Sequence, residues 1–462
     1  SVDAMTGDLR NAYLPFELTK GPAAYPPAKT RDQALEIAKA FAAAAVGSLQ
    51  GQALAEDSRY ADWSGNRTPL FGPVAYSFNF GLSHEGVRVE GQTAQVTVNG
   101  DGEVTSFSYS GADISYPSAK PKVTAEEAKA SLEKDLRLAL TYVSSGYSRD
   151  EAKPDSWKLI YAPTPEMNLL DAQSGQWLDY AGQALTLQAP EYVKLPDPVK
   201  PFQPRAVAAE EAARIVAGYA DLPDGYKLNS QSLRKGQGGE HDIWSLRWQS
   251  GNNNSPFNGR SAEVDAQTGQ LLSYRVDFYG PGGPDVQSPA RKPLKMAEAV
   301  KLADEWVSAN VPGIASYRRV VPAAVPTDAK DDSEYTTVTY QLFYRDLPIQ
   351  GRTLNVTFDG QGKLYGFYGQ PIPGKEVLAK LDTLKASLTE AQAKERYLDA
   401  VEMELVYSRY GGYYTMPSGG YVEPTMKLVY TTIDKSNKRG LTRSLDATTG
   451  LWIDLYPGGN AN

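Results

Sequence analysis

The sequence predicts an α+β fold assembled from repeated units, each a helix followed by about three antiparallel strands. Three observations carry that expectation: a helix-like segment recurs five times, a β-rich stretch follows each, and each stretch closes on an Asp and Gly turn. The turns are Asn99-Gly100-Asp101-Gly102, Asp171-Ala172-Gln173-Ser174-Gly175, Asp265-Ala266-Gln267-Thr268-Gly269, Asp359-Gly360-Gln361-Gly362 and Asp446-Ala447-Thr448-Thr449-Gly450. Asp accepts hydrogen bonds from amides a residue or two further on, and Gly takes the positive φ that a Cβ resists, so such a turn reverses one strand into the next. A lone helix cannot cover its own apolar face and must lie across the sheet that follows it.

The elements follow in order. Thr30 is an N-cap, Ala34, Leu35, Ile37, Ala38, Phe41 and Ala42 line a helix, and Gly47 ends it; strands are expected at Val74 to Phe80, Thr93 to Val98 and Val104 to Ser108. Thr124 with Glu127 forms a capping box, and Leu132, Leu136 and Leu140 continue that helix, followed by strands at Trp157 to Tyr161, Met167 to Leu170 and Gln176 to Tyr180. The Pro-rich stretch Leu195 to Pro204 reads as a linker or strap. A third helix spans Ala208 to Tyr219, with strands at Ile243 to Trp248 and Ser261 to Val264 and another from Leu271. The fourth helix, Met296 to Ala309, precedes strands at Thr336 to Tyr344, Thr353 to Phe358 and Leu364 to Tyr368. The fifth begins near Thr389 with Glu390 to Val406 available, then strands at Met426 to Thr431, Leu441 to Leu445 and Leu451 to Leu455. Repeats are accordingly placed at 16–117, 118–195, 196–285, 286–375 and 376–462.

A sixth turn, Asp3-Ala4-Met5-Thr6-Gly7, has no helix before it, as expected of a chain cut from a longer array or processed within one. Residues 1–15 then read as the closing strand of a truncated preceding repeat, with Leu9, Tyr13 and Leu14 as its apolar contacts. A lone strand seldom stays unpaired, so it is expected to join the sheet of a neighbouring molecule or of the adjacent unit.

Composition narrows the function classes. The chain has 462 residues, more than one typical core needs, and 41% apolar residues with 29 Tyr and 7 Trp can fill several cores. A net charge of -8 without a long basic block argues against nucleic acid and anionic membranes as partners. There is no Cys, which removes disulfides, thiolate catalysis and zinc-cysteine sites, and no run of apolar residues is long enough to span a membrane.

Two segments carry a family resemblance. Tyr76 to Tyr109 contains Gly86-Val87-Arg88-Val89-Glu90-Gly91, then Ala94 to Val98, then its turn; Tyr340 to Tyr368 contains Leu347-Pro348-Ile349-Gln350-Gly351, then Leu354 to Phe358, then its own. This order resembles the strand, loop, G-[IV]-x-[IV]-x-G, strand, D-x-x-G pattern of the PepSY and thermolysin-propeptide families. The Asp-Ala-x-Thr-Gly turns resemble the PepSY ending, and the alternation of the two kinds resembles the YcdB/YcdC repeat proteins of Gram-positive, spore-forming bacteria. The resemblance implies tandem PepSY-like, cystatin-like units, each one helix packed on a three- to four-stranded antiparallel sheet. It also implies a secreted protein of the cell wall or cell surface that binds or restrains peptidases or other polypeptides, another copy of itself included. Contact with cell-wall polymer would come through domains outside this chain, and restraint of a peptidase would act in trans.

Catalytic constellations are missing. His84-Glu85 lacks a second His at zincin spacing and Gly86 breaks the helix such a site needs; no Gly-x-Ser-x-Gly elbow is present, and Gly236-Gln237-Gly238-Gly239 fits neither a dinucleotide fingerprint nor a P-loop. His84 is expected to decorate a loop and His241 to precede a strand. The Asp-Gly turns lack the alternating carboxylates of an EF-hand. The expectation is therefore no enzyme, no cofactor and no metal. One surface candidate stands out, the loop Tyr407-Ser408-Arg409-Tyr410-Gly411-Gly412-Tyr413-Tyr414: the rings of Tyr407, Tyr410, Tyr413 and Tyr414 can stack on sugars or anchor a protein partner, or pack onto a neighbouring unit. Two roles remain: a peptidase- or polypeptide-binding module, or a structural surface-layer or fibre component whose repeats act as spacers.

Overall fold

The computed structural model describes residues 1–13, 28–50, 54–57, 74–111, 114–145, 153–196, 202–219, 222, 225–235, 241–250, 258–278, 293–322, 335–370, 372–414 and 421–455. Strand β1 (Asn11–Tyr13) precedes helix α1 (Arg31–Ala45) and strands β2 (Ala75–His84), β3 (Val87–Asn99) and β4 (Val104–Tyr109). Next come α2 (Ala125–Asp135), β5 (Leu138–Ser144), β6 (Trp157–Pro163), β7 (Leu169–Asp171) and β8 (Trp177–Leu178), and then β9 (Glu191–Lys194) beside the Pro-rich joint. The third group is α3 (Ala209–Tyr219), β10 (Tyr226–Lys235), β11 (Asp242–Ser250), β12 (Asn258–Asp265) and β13 (Leu271–Phe278). The fourth is α4 (Met296–Asn310), β14 (Tyr317–Val321), β15 (Tyr335–Tyr344), β16 (Leu347–Asp359) and β17 (Leu364–Gly369). The last holds α5 (Lys375–Thr383), α6 (Glu390–Ala400), β18 (Val401–Tyr410), β19 (Tyr413–Tyr414), β20 (Tyr421–Val422), β21 (Thr425–Asp434), β22 (Arg443–Asp446) and β23 (Trp452–Asp454).

Local chemistry accounts for where these elements start and turn. Thr30, Thr124 and Thr389 each cap a helix, with Gln33, Glu127 and Gln392 returning the bond to the cap amide; such caps stabilise a helix by about 1 kcal/mol each. At the turns, Asp171 Oδ1 accepts from the amides of Gln173 and Ser174, Asp265 Oδ1 from Gln267 and Thr268, and Asp446 Oδ1 from Thr448 and Thr449. Gly175, Gly269 and Gly450 sit at φ of 72°, 71° and 73°, the left-handed conformation the turn requires. The helices lie close on their sheets through small residues a turn apart: Ala34, Ala38 and Ala42 on α1, and Ala299, Ala303 and Val307 on α4, all buried.

Separate units, each one helix on its own three- to four-stranded antiparallel sheet, are not what the chain forms. Its strands merge into one eight-stranded sheet in the order β1-β4-β3-β18-β21-β7-β8, with β2 beside β3, and one thirteen-stranded sheet in the order β10-β11-β12-β13-β17-β16-β5-β6-β22-β23, to which β9, β14 and β15 add. Both are mixed, because β3 pairs parallel with β18 (Tyr407 opposite Val89) and β16 parallel with β5 (Ile349 opposite Tyr142). The physical reason lies in two strands that sequence periodicity hides. Leu136 and Leu140 extend the helical spacing of α2, and Glu390 to Val406 extends that of α6, but α2 ends at Asp135 and α6 at Ala400, and the chain continues as β5 and β18. Each is a buried strand with an outer edge that needs a partner, and β16 and β3 supply it.

The second departure is an exchange. Hairpin β5–β6 pairs with β22, and β18–β21 pairs with β7, so each of these two repeats gives its first hairpin to the other's closing strands. The bonds are reciprocal in detail: the Ala447 amide donates to Leu159 O at 2.8 Å and the Ala172 amide to Leu428 O at 3.0 Å. Likewise Tyr161 OH donates to Leu388 O, just before α6, and Tyr430 OH to Val123 O, just before α2. Trp177 Nε1 on β8 donates to Asp135 Oδ2 at the end of α2, and Tyr397 of α6 packs on Trp452 of β23, so each helix stays with its own closing strands.

The strand order β13-β17-β16-β5-β6-β22-β23 thus repeats as β1-β4-β3-β18-β21-β7-β8. The repeat holds residue by residue: Ala75 stands opposite Asn99 as Tyr335 opposite Asp359, and Ser83 opposite Arg88 as Phe343 opposite Pro348, with an irregularity at the same place in both hairpins. Of the two partners expected for the strand after the Asp3 turn, the adjacent unit of the same chain is the one observed: β1 pairs with β4, Ala12 opposite Phe107, as β13 pairs with β17. Leu14 lies outside the described residues.

Candidate functional site

The tyrosines singled out from the sequence divide between strands. Tyr407 and Tyr410 belong to β18 and are buried, Tyr407 completely. Tyr407 OH donates to Pro117 O at 2.8 Å, and its ring meets Tyr116 and His84 edge-on while those two stack at 4.2 Å. His84 thus closes an aromatic cluster at the β3–β18 joint. The Tyr410 ring lies against Gly182, where a Cβ would stand 2.6 Å from the ring, and burial pushes its phenol up to about 12. Tyr413 and Tyr414 form the short strand β19 opposite Val422 and Tyr421; their side chains lie outside the described residues. His241 sits 2.5 Å from Asp265, the Asp of its own repeat's turn. Among the described residues no three His, Cys, Asp or Glu side chains group to hold a metal ion, and no helix is long and apolar enough to cross a membrane.

The strand exchange creates a site that the sequence alone does not reveal. Hairpin β18–β21, contributed from the C-terminal end of the chain, forms one wall of a cleft of about 560 Å³; β2, the start of β3 and the short extended segment Leu54 to Asp57 form the other. Ala55, Glu56, Asp57, Gly81, Ser83 and Gly86 line the latter wall with Arg88, and Glu402, Glu404, Ile433 and Lys438 the former. Two ion pairs organise it. Arg88 spans the walls with a two-pronged contact to Glu404, Nε to Oε1 at 3.0 Å and Nη2 to Oε2 at 2.9 Å, and Lys438 Nζ lies 2.5 Å from Glu402. Glu56 pairs with Arg31 of α1. Of the four lining carboxylates, Glu404, Glu402 and Glu56 are thus each matched by a cation.

Gly81 permits a close approach, since a Cβ there would stand 2.8 Å from Asp57 Oδ2. Glu56 bridges Phe80 and the Asp57 amide donates to Asn79 O, so the segment Leu54 to Asp57 runs as a strand beside β2. The lining residues are polar and acid-rich, and among them no nucleophile stands paired with a base.

Residues 209–370, from α3 to β17, match the family model described as YcdB, YcdC repeated domain. Among solved structures it is similar to the Bacillus megaterium YpeB C-terminal domain, with 14% identity over 54% of this chain and 96% of that one and a TM-score of 0.29. No curated protein matches it.

Proposed function

We propose that the chain is a non-enzymatic, exported cell-envelope protein whose repeats bind or restrain peptidases or other polypeptides through their sheets. The observation that carries this reading is the cleft of about 560 Å³ between the segment Leu54 to Asp57 and hairpin β18–β21: its polar, carboxylate-lined walls come from distant parts of the chain and fit recognition of a polypeptide. The match to the YcdB, YcdC repeated domain supports the same class of protein. The test is to add purified protein to envelope peptidases of the producing cell and follow casein cleavage, and separately to incubate the protein alone with casein and with cell-wall glycan, with and without divalent metals. The reading expects slowed or captured peptidase and no turnover by the protein itself. Turnover that disappears on replacing one carboxylate would overturn it.

A second reading, a structural spacer or lattice element, draws on one observation: strands of different repeats join edge to edge into sheets of eight and thirteen strands. It expects no effect on peptidases and a mass by light scattering that grows with concentration.

A further inference from the structure

The two faces of the thirteen-stranded sheet differ sharply where the third and fourth repeats join. Paired residues of antiparallel strands share a face. Across β11, β12, β13, β17, β16 and β15, the row Leu246, Ala262, Tyr274, Phe367, Val356 and Val338 is buried on the side that α3 and α4 cover. One residue along each strand, the opposite face carries Ser245, Glu263, Ser273, Tyr368, Asn355 and Thr339. Hydroxyls and an amide make up most of this second row, and its single aromatic, Tyr368, is 49% exposed. Gln370 Nε2 donates to the Tyr368 hydroxyl at 3.1 Å and steadies the ring.

Two residues further along the same face, Arg275 on β13, Ser261 on β12 and Arg247 on β11 stand opposite one another. Arg275 is exposed, and its Nε donates to Ser261 Oγ at 2.9 Å. Arg247 is half-buried, and its Nε is buried without a hydrogen-bond partner. The carboxylate of the neighbouring row, Glu263, is held by Arg234 of β10 at 2.6 Å. On a chain of net charge -8, these two guanidiniums form a local cationic line. They lie two strands apart, about 10 Å at ordinary strand spacing, and Tyr368 sits on the strand next to β13.

We propose that this face binds a polyuronate, a polysaccharide with carboxylates on its rings, laid across the strands with one sugar on Tyr368 and carboxylates on Arg275 and Arg247. The phenol ring offers a flat apolar surface to the C–H face of a sugar, and the planar guanidinium fork matches a carboxylate. The row of hydroxyl and amide groups meets the sugar hydroxyls. Charge and ring together choose this ligand. A ring-free phosphodiester polymer would use the arginines and leave Tyr368 idle, whereas a neutral glycan would use Tyr368 and leave the arginines idle. The face shares no residue with the cleft, so polyuronate binding and polypeptide binding stand or fall separately.

The probe is an end-labelled oligogalacturonate titrated with the full chain by fluorescence anisotropy, beside a neutral galactose oligomer of equal length and inorganic polyphosphate as competitor. Saturable binding is expected for the uronate, at least tenfold tighter than for the neutral oligomer, weakening with salt and poorly displaced by polyphosphate. Tyr368→Ala and Arg247→Gln should each weaken it at least fivefold. Arg275→Gln, at an exposed position, should do the same and serves if either of the others melts early. Tyr13→Ala is the control: Tyr13 is 82% exposed on β1 of the other sheet, and its loss should leave the affinity unchanged. Absence of saturable binding would overturn the assignment. So would equal affinity for the neutral oligomer, stronger binding of polyphosphate, or variants at Tyr368, Arg247 and Arg275 that bind as the parent does.

Discussion

The repeat closed by Asp265 and the pair closed by Asp171 and Asp446 share a helix and a turn but end in different places. In the third repeat, α3 keeps its own strands, β10 to β13 in sequence, and β10 is the outermost strand of its sheet. In the other two, the hairpins after the helices trade sheets, and their first strands β5 and β18 are interior. The turn amides bond matching carbonyls, Ala266 to Asp242 O, Ala447 to Leu159 O and Ala172 to Leu428 O, which places Lys235 where the others carry Tyr142 and Tyr407. Tyr142 and Tyr407 are buried against β16 and β3, whereas Lys235 is exposed and pairs with Asp242. With a bulge between Leu228 and Ser230 as well, β10 carries the charged, kinked features that keep a sheet edge from pairing. One side chain on the first strand thus accompanies the difference between a strand that ends a sheet and one that continues it, and the cleft gains its wall of β18–β21 because β18 continues one.

The comparison can be broken by removing its central side chains. Tyr407→Ala and Tyr142→Ala each delete a buried ring at a parallel joint and should destabilise by about 3–5 kcal/mol in chemical denaturation, by analogy with other large aromatic truncations. Matching losses in the two variants would show that the joints are equivalent, and a loss under 1 kcal/mol in either would contradict it.

A somewhat smaller effect is expected at the crossing between sheets. Asp434 ends β21 in one sheet and its buried carboxylate holds Arg443, which begins β22 in the other, at 2.7 and 2.8 Å. Burial alone would raise its pKa, yet the bonds from Arg443 and Ser436 hold the carboxyl below the usual carboxylate range. A depressed folded pKa contributes stability that is present above the unfolded value, about 3.9, and is lost as pH falls through the folded one. Asp434→Asn should therefore cost about 3 kcal/mol near neutral pH, by leaving Arg443 unpaired, and should flatten the acid limb of the stability profile below about pH 4. An unchanged acid limb in the variant would refute the assignment.

Two gentler changes sharpen the account. Tyr161→Phe and Tyr430→Phe each remove one hydroxyl bond to the segment before α6 or α2 and should cost about 1 kcal/mol apiece. Lys235→Ala, at the matching position on β10, the outermost of the described strands, should change stability by no more than about 0.5 kcal/mol.

Much of this was legible in the sequence. The caps at Thr30, Thr124 and Thr389 and all the Asp-Gly turns are local, set by side chains within a few residues of the backbone groups they satisfy, and the structure places them as their spacing predicts. The strands β5 and β18 were hidden because leucines and valines at helical spacing continue the pattern of the helices before them, and α5 was not anticipated. Strand partners are long-range, and nothing local in β6 distinguishes β22 from β7 as its neighbour. The cleft is lined from opposite ends of the chain, so no local motif marks it; alignment of the hairpin at Ala75 with that at Tyr335 sets Gly81, Ser83 and Gly86 beside Gln341, Phe343 and Asp346 as the places where the two hairpins differ.

The exchange itself is open to a direct measurement, since the chain has no Cys and paired cysteines can be introduced without background. Leu169 stands opposite Thr431 across the exchanged pair β7–β21, while in a repeat that kept its own hairpin Leu169 would stand opposite Ala162 instead. The double variant Leu169→Cys with Thr431→Cys should form an intramolecular disulfide under mild oxidation, seen by peptide mass mapping of the monomer band, and Leu169→Cys with Ala162→Cys should not. The reverse pattern would contradict the exchange, and with it the wall of the cleft that β18–β21 supplies.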